Sequence, residues 1–411
     1  MRPTKTALGA LTVMVLGAAL ALTGTASAQA DVTGHWGTFT LDGTNRQYTG
    51  AVQLAGFPAT TFTSNSRQSS VISGQSTWQG PSTPPGQVYG SSRGSTYLNQ
   101  RPLQDQPRPT SASTTTYAFA SPTPAGGWSF VLGDIDADQA TITATGADGQ
   151  PVSTAALGFA STYNSCSAAP SPGGWSCTPD PDGTTGRDVP TWDAASGVLT
   201  GNAAAADTAG ATAWFSPTVP LRSLTITYQS RSGLPVYQTW FANTTAALSG
   251  SATLDGSPYP GATVTATRPD GTSVMTTTRA DGTYTFPTLG RYDDWTVTVD
   301  RPTGAEGADT TATPVSLVGG DGSAPPFAFT SPPASTSIIG TVVDEDGDPV
   351  AGIPVTITPA GGEPVETTTN DGGAYVVAEL PPNTSTEIAV PGVDPVVVET
   401  GAPGTPTAVP P

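Results

Sequence analysis

The chain is poor in the side chains that most often carry acid–base chemistry. It has a single histidine, His35, and its one lysine, Lys5, lies in the N-terminal segment. Residues 31–243 contain no glutamate, so their carboxylates come from aspartate alone. General acid–base catalysis most often uses histidine, and no pair of these aspartates stands out as an acid and a nucleophile. The composition therefore predicts that the protein is not an enzyme, with an exported glycoside hydrolase as an alternative.

Cysteine is almost as scarce, since the whole chain holds only Cys166 and Cys177. The segment between them, Ser-Ala-Ala-Pro-Ser-Pro-Gly-Gly-Trp-Ser, is rich in turn formers and could close on itself. Disulfides persist in proteins that leave the reducing cytoplasm. We therefore expect a disulfide between Cys166 and Cys177, with two free thiols as the alternative.

Residues 1–30 have the composition of a secretory signal peptide. Arg2 and Lys5 supply positive charge, residues 7–22 form an apolar stretch, and small residues dominate 23–30. A membrane helix needs about 20 apolar residues, whereas this stretch has 16 and contains Gly and Thr. The sequence predicts cleavage and a secreted or extracellular protein, with association with the cell wall left open. It also predicts no transmembrane segment in the mature chain.

Positive charge is scarce, above all in the C-terminal part. The net charge of the chain is −18. Residues 244–411 hold four Arg against 20 acidic residues, whereas residues 31–243 hold eight Arg against 12 Asp. A strongly acidic surface repels nucleic acid and anionic lipid. We therefore expect no nucleic-acid partner, and solubility outside the cell is sufficient to explain the charge.

Long uninterrupted helical segments are also lacking, because 48 glycines and 41 prolines punctuate the chain. Short runs rich in Val, Thr, Ile, Tyr and Phe recur between turn-forming residues. The pattern predicts an all-β protein whose strands include residues 140–145, 223–229 and 263–267.

An internal repeat organises the C-terminal part. Gly250, Gly261 and Val264 of the first copy match Gly340, Gly352 and Val355 of the second. Further on, Asp281-Gly282 and Tyr284 match Asp371-Gly372 and Tyr375. Each copy reads as a strand, a turn, an alternating Val/Thr strand, an Asp-Gly hairpin turn and an aromatic strand. One buried face per sheet predicts two packed sheets, which form a small sandwich.

The second copy resembles the carboxypeptidase regulatory-like module, through Ile339-Gly-Thr-Val-Val-Asp, Pro349-Val-Ala-Gly-Ile-Pro-Val-Thr-Ile and Thr369-Asn-Asp-Gly-Gly-Ala-Tyr. That module is similar in fold to collagen-adhesin B-type repeats and starch-binding-like domains. The resemblance implies two small Ig-like (prealbumin-like) β-sandwich modules, at residues 245–331 and 336–400, that act as a stalk or spacer and only sometimes as a binder. Residues 401–411 form a Pro-rich tail. The lysine isopeptide bond frequent in collagen-adhesin repeats cannot form here, because Lys5 leaves with the signal peptide.

Residues 31–243 form a different domain, the head. The runs Trp128-Ser-Phe-Val-Leu-Gly-Asp-Ile-Asp-Ala-Asp and Ser223-Leu-Thr-Ile-Thr-Tyr, with Tyr237-Gln-Thr-Trp-Phe, resemble jelly-roll-like head domains of bacterial surface proteins. We expect a jelly-roll-like β-sandwich, in which the Ser/Gly/Pro/Gln-rich segment 64–113 is a long loop or partly disordered.

Two groups of head residues are candidates for a site. Asp134, Asp136 and Asp138 alternate, which would place three carboxylates on one side of an extended chain as Ca²⁺ ligands. A charged, solvent-facing strand end is the alternative. Five aromatic residues lie in loop-like sequence and could stack on sugar rings, or simply pack in the fold: Trp78, Tyr89, Tyr97, Trp175 and Trp192.

These features predict a non-catalytic secreted or cell-surface adhesin-like protein, whose head binds a ligand and whose two acidic modules act as a spacer. An extracellular glycan or a host or cell-surface protein would be the partner, and no cofactor is expected apart from Ca²⁺. The second hypothesis is a starch- or polysaccharide-binding protein accessory to polysaccharide degradation.

Overall fold

The computed structural model describes residues 33–165, 188–202, 204, 210–307, 314–331 and 334–411. The described residues form strands and very little helix, which confirms the all-β prediction. They make three β-sandwich units: the head, the first module and the second module, each with its own hydrophobic core.

The head begins with six strands and one short helix. These are β1 (Thr33–Trp36), β2 (Thr38–Thr44), β3 (Gln47–Gln53), β4 (Thr60–Ser64), β5 (Gln68–Ile72), α1 (Pro84–Tyr89) and β6 (Tyr97–Arg101).

The head continues with two 3₁₀ turns and eight strands. These are η1 (Pro109–Ser111), β7 (Ser113–Phe119), β8 (Trp128–Gly133), β9 (Asp138–Gly146), η2 (Thr154–Leu157), β10 (Phe159–Asn164), β11 (Thr191–Asp193), β12 (Val198–Thr200), β13 (Ala211–Phe215) and β14 (Leu221–Ser230). The head ends within β15 (Tyr237–Leu254).

Two sheets pack face to face in the head. The eight-stranded sheet has the order β11-β12-β9-β14-β7-β4-β3-β2. The β15 sheet has the order β10-β13-β8-β15, with β1 and β6 also paired to β15 and β5 paired to β6. From β7 to β10 and from β13 to β15, successive strands alternate between the two sheets. The alternating buried residues of β9 and β14, such as Ile142 and Ile226, face the core between them.

The β15 sheet is covered on both faces. All six residues of β8 and the first ten of β15 are buried, a pattern typical of strands with packing on either side. One face meets the eight-stranded sheet. On the other, Val131 and Trp240 form a second cluster with Tyr97, against which Trp36, Ile72 and Trp214 pack.

The head and the first module share one strand. Residues Gln238–Asn243 of β15 pair with β8 of the head, and Thr245–Ser251 pair with β19 of the first module. The domain boundary placed at residues 243–245 therefore lies inside a continuous strand and not in a linker.

The first module adds eight strands to β15. These are β16 (Ser257–Pro258), β17 (Thr263–Thr267), β18 (Ser273–Thr277), β19 (Thr283–Gly290), β20 (Thr296–Val299), β21 (Glu306–Gly307), β22 (Gly322–Ser323) and β23 (Phe327–Thr330). Sheet β18-β17-β20 packs on the sheet that contains β19, β15 and β23, with Tyr284 and Phe286 in the core between them.

The second module repeats this plan. Its strands are β24 (Thr336–Thr341), β25 (Pro354–Pro359), β26 (Val365–Thr368), β27 (Ala374–Leu380), β28 (Ser385–Ala389), β29 (Val396–Glu399) and β30 (Thr407–Val409). Sheets β27-β24-β30 and β26-β25-β28-β29 enclose its core. In both modules the first strand pairs in parallel with the last: β15 with β23, and β24 with β30.

Two expectations need correction. The segment 64–113 is not a structureless loop, because it contains β5, α1, β6 and η1 and is tied by hydrogen bonds such as that from Gln100 Nε2 to Ser64 Oγ (2.8 Å). Residues 401–411 are not a tail outside the module either. Thr407–Val409 pair with Ile338–Gly340 and close the second sandwich. A three-residue strand at a Pro-rich end has too little alternation to be read from sequence.

The repeated glycines and tyrosines are paired across strands. Gly250 lies opposite Tyr284, and Gly340 lies opposite Tyr375. A Cβ at Gly250 or Gly340 would come within 2.4 Å of the opposing tyrosine ring. Both positions therefore require glycine, because a tyrosine ring covers each of them and leaves no room for a side chain.

The hairpin turns of the two modules correct the alignment of the repeat by one residue. Gly282 and Gly373 both have positive φ, 75° and 70°, and each N–H closes the same turn, onto Arg279 O and Asn370 O. Gly282 is therefore equivalent to Gly373 and not to Gly372.

Candidate functional site

Two of the predicted sugar-stacking aromatics are buried. Tyr89 is 5% exposed at the end of α1, and Tyr97 is 3% exposed in β6. The Tyr89 hydroxyl lies 2.7 Å from Ser129 Oγ, and its ring contacts Trp36 and Trp214 edge-on. For these two residues the packing alternative holds and sugar stacking does not, because the outer face of the β15 sheet is apolar and this segment covers it.

The other predicted aromatics are separated from one another. Trp78 is partly buried beneath the Arg93 guanidinium, 4.8 Å from its ring centre. Trp192 stacks on Phe159 at 5.8 Å, and Phe159 is 39% exposed, so this pair lies at the edge of the sandwich. Trp175 lies outside the described residues, as do Cys166 and Cys177 of the expected disulfide.

The three aspartates of the expected calcium site do not converge. Among the described residues, no group of three or more His, Cys, Asp or Glu side chains could hold a metal ion. Asp134 takes a left-handed φ of 62°, which breaks the assumed alternation. Asp136 Oδ1 accepts a hydrogen bond from Ala137 N (2.6 Å), and Asp138 turns into the core. The predicted arrangement of three carboxylates on one side was therefore wrong.

Asp138 belongs to a buried polar network between the two sheets. Its carboxyl group contacts the Tyr228 hydroxyl, and burial raises the pKa of Asp138 to about 7. Further along, the Tyr237 hydroxyl donates to Gln100 Oε1 at 2.8 Å, and Thr115 Oγ1 lies 2.9 Å from the same oxygen. Since these groups are fully buried, they stabilise the packing of β6, β7, β14 and β15 and do not form an open site.

A serine nucleophile is also not supported by the geometry. Residues 90–94 have the pattern Gly-x-Ser-x-Gly, but Ser92 is fully buried and its Oγ accepts a hydrogen bond from Gln79 N at 2.7 Å. The single histidine, His35, instead contacts Thr245 Oγ1 at 2.9 Å, at the junction with the first module.

A shallow polar groove lies on the exposed face of the eight-stranded sheet and is the best candidate for a binding site. Its volume is about 400 Å³. Three segments line it, from the β2–β3 turn with the start of β3, from the end of β4, and from β7: Arg46, Gln47, Tyr48, Thr49, Thr63, Ser64, Asn65, Thr114 and Thr116. Asn65 connects two of these segments, because its Oδ1 accepts from Thr114 N at 2.6 Å.

Threonines form an ordered row through this groove. Strand register aligns one threonine on each of five neighbouring strands: Thr49, Thr63, Thr116, Thr225 and Thr143. Adjacent strands are about 4.8 Å apart, and the hydroxyls of Thr116 and Thr225 are 3.1 Å apart. The result is a hydroxyl-rich surface that could hydrogen-bond a polar ligand along the row.

Sequence reasoning missed this groove, although part of its signal was present. The run of three threonines at 114–116 and the alternation of Ser223, Thr225 and Thr227 with apolar residues indicate a polar outer face. The groove itself depends on which strands become neighbours, and the turn that carries Arg46 was not singled out.

No helix in the described part of the chain combines the length and hydrophobicity needed to cross a bilayer.

Comparison with known proteins identifies one segment. Residues 337–409 match the carboxypeptidase regulatory-like domain. The match extends through β30, which agrees with the closing strand seen in the second module. Comparison with curated protein sequences found no match.

Solved structures with detectable similarity include two pilus proteins and one further bacterial protein. The shaft pilin SpaA of Lactobacillus rhamnosus GG is 10% identical, with 41% of this chain and 98% of that chain covered and a TM-score of 0.19. The Bacillus anthracis TIE protein is 11% identical, with 91% and 74% covered and a TM-score of 0.23. The pilus backbone RrgB of Streptococcus pneumoniae is 11% identical, with 70% and 84% covered and a TM-score of 0.15.

The sequence match agrees with the fold of the second module. Its boundaries coincide with a complete two-sheet sandwich whose first and last strands pair in parallel. Residues 337–409 therefore match the carboxypeptidase regulatory-like domain both in sequence and in the extent of the folded unit.

Proposed function

We propose that the protein is a non-catalytic extracellular or cell-surface binding protein, in which the head binds a ligand and the two modules hold the head away from its base. The polar groove of the head is the single observation that carries the proposal, because it is an open, preformed surface with convergent polar side chains. The predicted signal peptide supports an extracellular site of action.

A rigid connection between the head and the first module supports the spacer role. Strand β15 passes through both units. Side chains of the first module connect them as well: Tyr292 Oη donates to Pro122 O at 3.2 Å, and Arg291 Nη1 donates to Thr244 Oγ1 at 3.2 Å. The orientation of the groove is therefore fixed relative to the first module.

The charge of the second module suits a spacer. Residues 334–411 contain eleven acidic residues and no Lys, Arg or His. A single-sign surface keeps neighbouring modules apart and in solution. This supports separation of the head from an underlying surface without a ligand of its own.

A polysaccharide-binding protein is the second candidate function. The ordered threonine hydroxyls of the groove favour it, because a sugar chain presents hydroxyl groups at regular intervals along its length. This role differs from adhesion only in the biological setting of the ligand.

A pair of tryptophan substitutions on the same threonine row tests the proposal. The mature chain would be screened on glycan and cell-surface protein arrays, together with Thr63→Trp inside the groove and Thr143→Trp outside it. We expect Thr63→Trp to abolish binding and Thr143→Trp to leave it unchanged, with equal melting temperatures. Absence of any ligand, or binding that survives Thr63→Trp, would contradict a binding role for this groove. Hydrolysis of an arrayed polysaccharide would contradict the non-catalytic role.

A further inference from the structure

Arg46 gives the groove its only charge. The other lining side chains are neutral, and no carboxylate is among them. Asp42 lies nearby, opposite Thr49 in the neighbouring strand, and its Oδ1 accepts from Gly43 N at 2.7 Å. The salt bridges among the described residues involve Arg67 and Arg268, and Arg46 is in none of them. Most of the other described arginines are in no salt bridge either, so Arg46 is distinguished by its place in a groove without carboxylates, in a chain of net charge −18.

The backbone at Arg46 is the second, independent observation. Arg46 is in the turn between β2 and β3 with a left-handed φ of 67°. Glycine and asparagine are preferred in that conformation, because a Cβ comes close to the following carbonyl oxygen, glycine has none, and the asparagine side chain can hydrogen-bond locally. The Arg46 N–H donates to Ser66 O at 2.8 Å and holds the turn in this shape. Strained residues of this kind concentrate at functional sites, and the turn alone does not require an arginine.

The groove beside Arg46 is suited to sugar hydroxyls. Thr49, Thr63 and Thr116 lie in one row across three strands, so their hydroxyls recur along a single direction. Each hydroxyl can both donate and accept a hydrogen bond. Tyr48 adds a half-buried aromatic ring at the same end of the sheet. A guanidinium, in turn, binds a carboxylate through two parallel hydrogen bonds.

We propose that this groove binds an acidic glycan, a sugar chain that carries carboxylates, with Arg46 bound to one carboxylate and the threonine row bound to hydroxyls. The inference rests on the proposed function and specifies its ligand class. The acidic surface of the protein opposes an anion at long range, but at physiological salt this repulsion is screened beyond about 8 Å. The contact at Arg46 is short-range and keeps its strength.

Oligogalacturonate and its methyl ester make a matched pair of probes, because they differ only in the carboxylate. Binding to the mature chain would be measured by isothermal titration for oligogalacturonate, oligoalginate and hyaluronan oligosaccharides, for methyl-esterified oligogalacturonate, and for a polyglutamate peptide. We expect at least one acidic glycan to bind, and the methyl ester of oligogalacturonate to bind at least tenfold more weakly than the free acid.

Arg46→Gly separates function from folding. Glycine accepts the left-handed φ, so the melting temperature should stay equal or rise, while affinity for the acidic glycan falls at least tenfold. Arg222→Gln is the control, because Arg222 is an exposed arginine of the same sheet whose Nη1 donates to Ala120 O at 3.2 Å. It should bind like the unsubstituted protein.

Four outcomes would overturn the inference. Equal affinity for the free acid and its methyl ester would make the groove a neutral-glycan site, and equal binding of polyglutamate would remove the glycan specificity. Failure of all three acidic glycans to bind, while the arrays show a ligand lost in Thr63→Trp, would refute the ligand class and leave the proposed function intact. Retained affinity in Arg46→Gly would refute the role of Arg46.

Discussion

Replacing Asp138 by asparagine should stabilise the head at alkaline pH and remove much of its pH dependence. Asp138 is fully buried at the start of β9. Burial is the main cause that raises the pKa of its carboxyl group from 3.8 to about 7, and the nearby charge of Asp136 adds to it. The carboxyl group is therefore protonated in the folded head over most of the acidic range.

The hydrogen bonds around Tyr228 agree with a protonated Asp138. The Tyr228 hydroxyl contacts both the Asp138 carboxyl group and Val236 O, the latter at 2.7 Å. A hydroxyl has one proton, so it can donate to only one of these acceptors. If Asp138 carries a proton, it donates to Tyr228 Oη, and Tyr228 donates to Val236 O. An asparagine amide can make the same donation, so it imitates the protonated acid.

The size of the effect follows from the pKa shift. One pH unit of pKa shift corresponds to about 1.4 kcal/mol, so a rise from 3.8 to about 7 amounts to on the order of 4 kcal/mol. Because the folded pKa is raised, the folded head binds the proton more tightly than the unfolded chain does. Its stability is greatest below the unfolded pKa of 3.8 and is lost as pH rises through about 7.

Calorimetric melting of the mature chain at pH 4.5 and pH 8 measures this effect. The head transition of Asp138→Asn should match the unsubstituted protein within a few degrees at pH 4.5 and exceed it at pH 8. Asp148→Asn, at an exposed turn position, is the control and should change neither. If Asp138→Asn melts lower than the unsubstituted protein at pH 8, or if both respond to pH identically, the buried carboxyl group is not the group that titrates.

Three further predictions concern the second module. Gly340→Ala would place a Cβ 2.4 Å from the Tyr375 ring and should destabilise the module by about 1–3 kcal/mol in urea unfolding, whereas Gly362→Ala, with no contact under 3.4 Å, should have little effect. Thr369→Val should lower the free energy of unfolding by about 1–3 kcal/mol in the same measurement. The reason is that the buried Thr369 hydroxyl donates to Val350 O at 2.7 Å and accepts from Ile353 N at 2.9 Å. Equal stability would show that water replaces both bonds. Removal of residues 401–411 deletes β30, the partner of β24. The rate of amide hydrogen exchange should therefore rise in β24 and stay unchanged in the head. Unchanged protection of β24 would contradict a closing role for β30.

Some of the fold could be predicted because it depends on local patterns. Alternation in β9 and β14 and the turn residues around them define strands without reference to distant segments. The repeat was readable for the same reason, since each Gly–Tyr pair recurs at nearly constant spacing. Strands β3 and β4 were missed, because their Thr, Gly and Gln residues give little hydrophobic alternation.

The candidate sites were predicted poorly, because burial depends on what covers a surface. Tyr89 and Tyr97 lie in sequence that reads as a loop, yet they cover the apolar outer face of the β15 sheet. Asp134 reads as one of three alternating carboxylates, yet its left-handed backbone breaks the alternation. Neither the cover over the two tyrosines nor the backbone conformation of Asp134 follows from the alternation of residue types.

The sequence by itself determined that this chain is all-β and that its C-terminal part is a repeat in which glycine and tyrosine recur at matching positions, because those properties depend on period and spacing. Only the tertiary structure decided that one strand joins the head to the first module, that residues 407–409 close the second module, and that Arg46 meets Thr63 and Thr116 in one groove. These are long-range pairings. Their register is selected by the burial of whole faces, and no single segment contains that information.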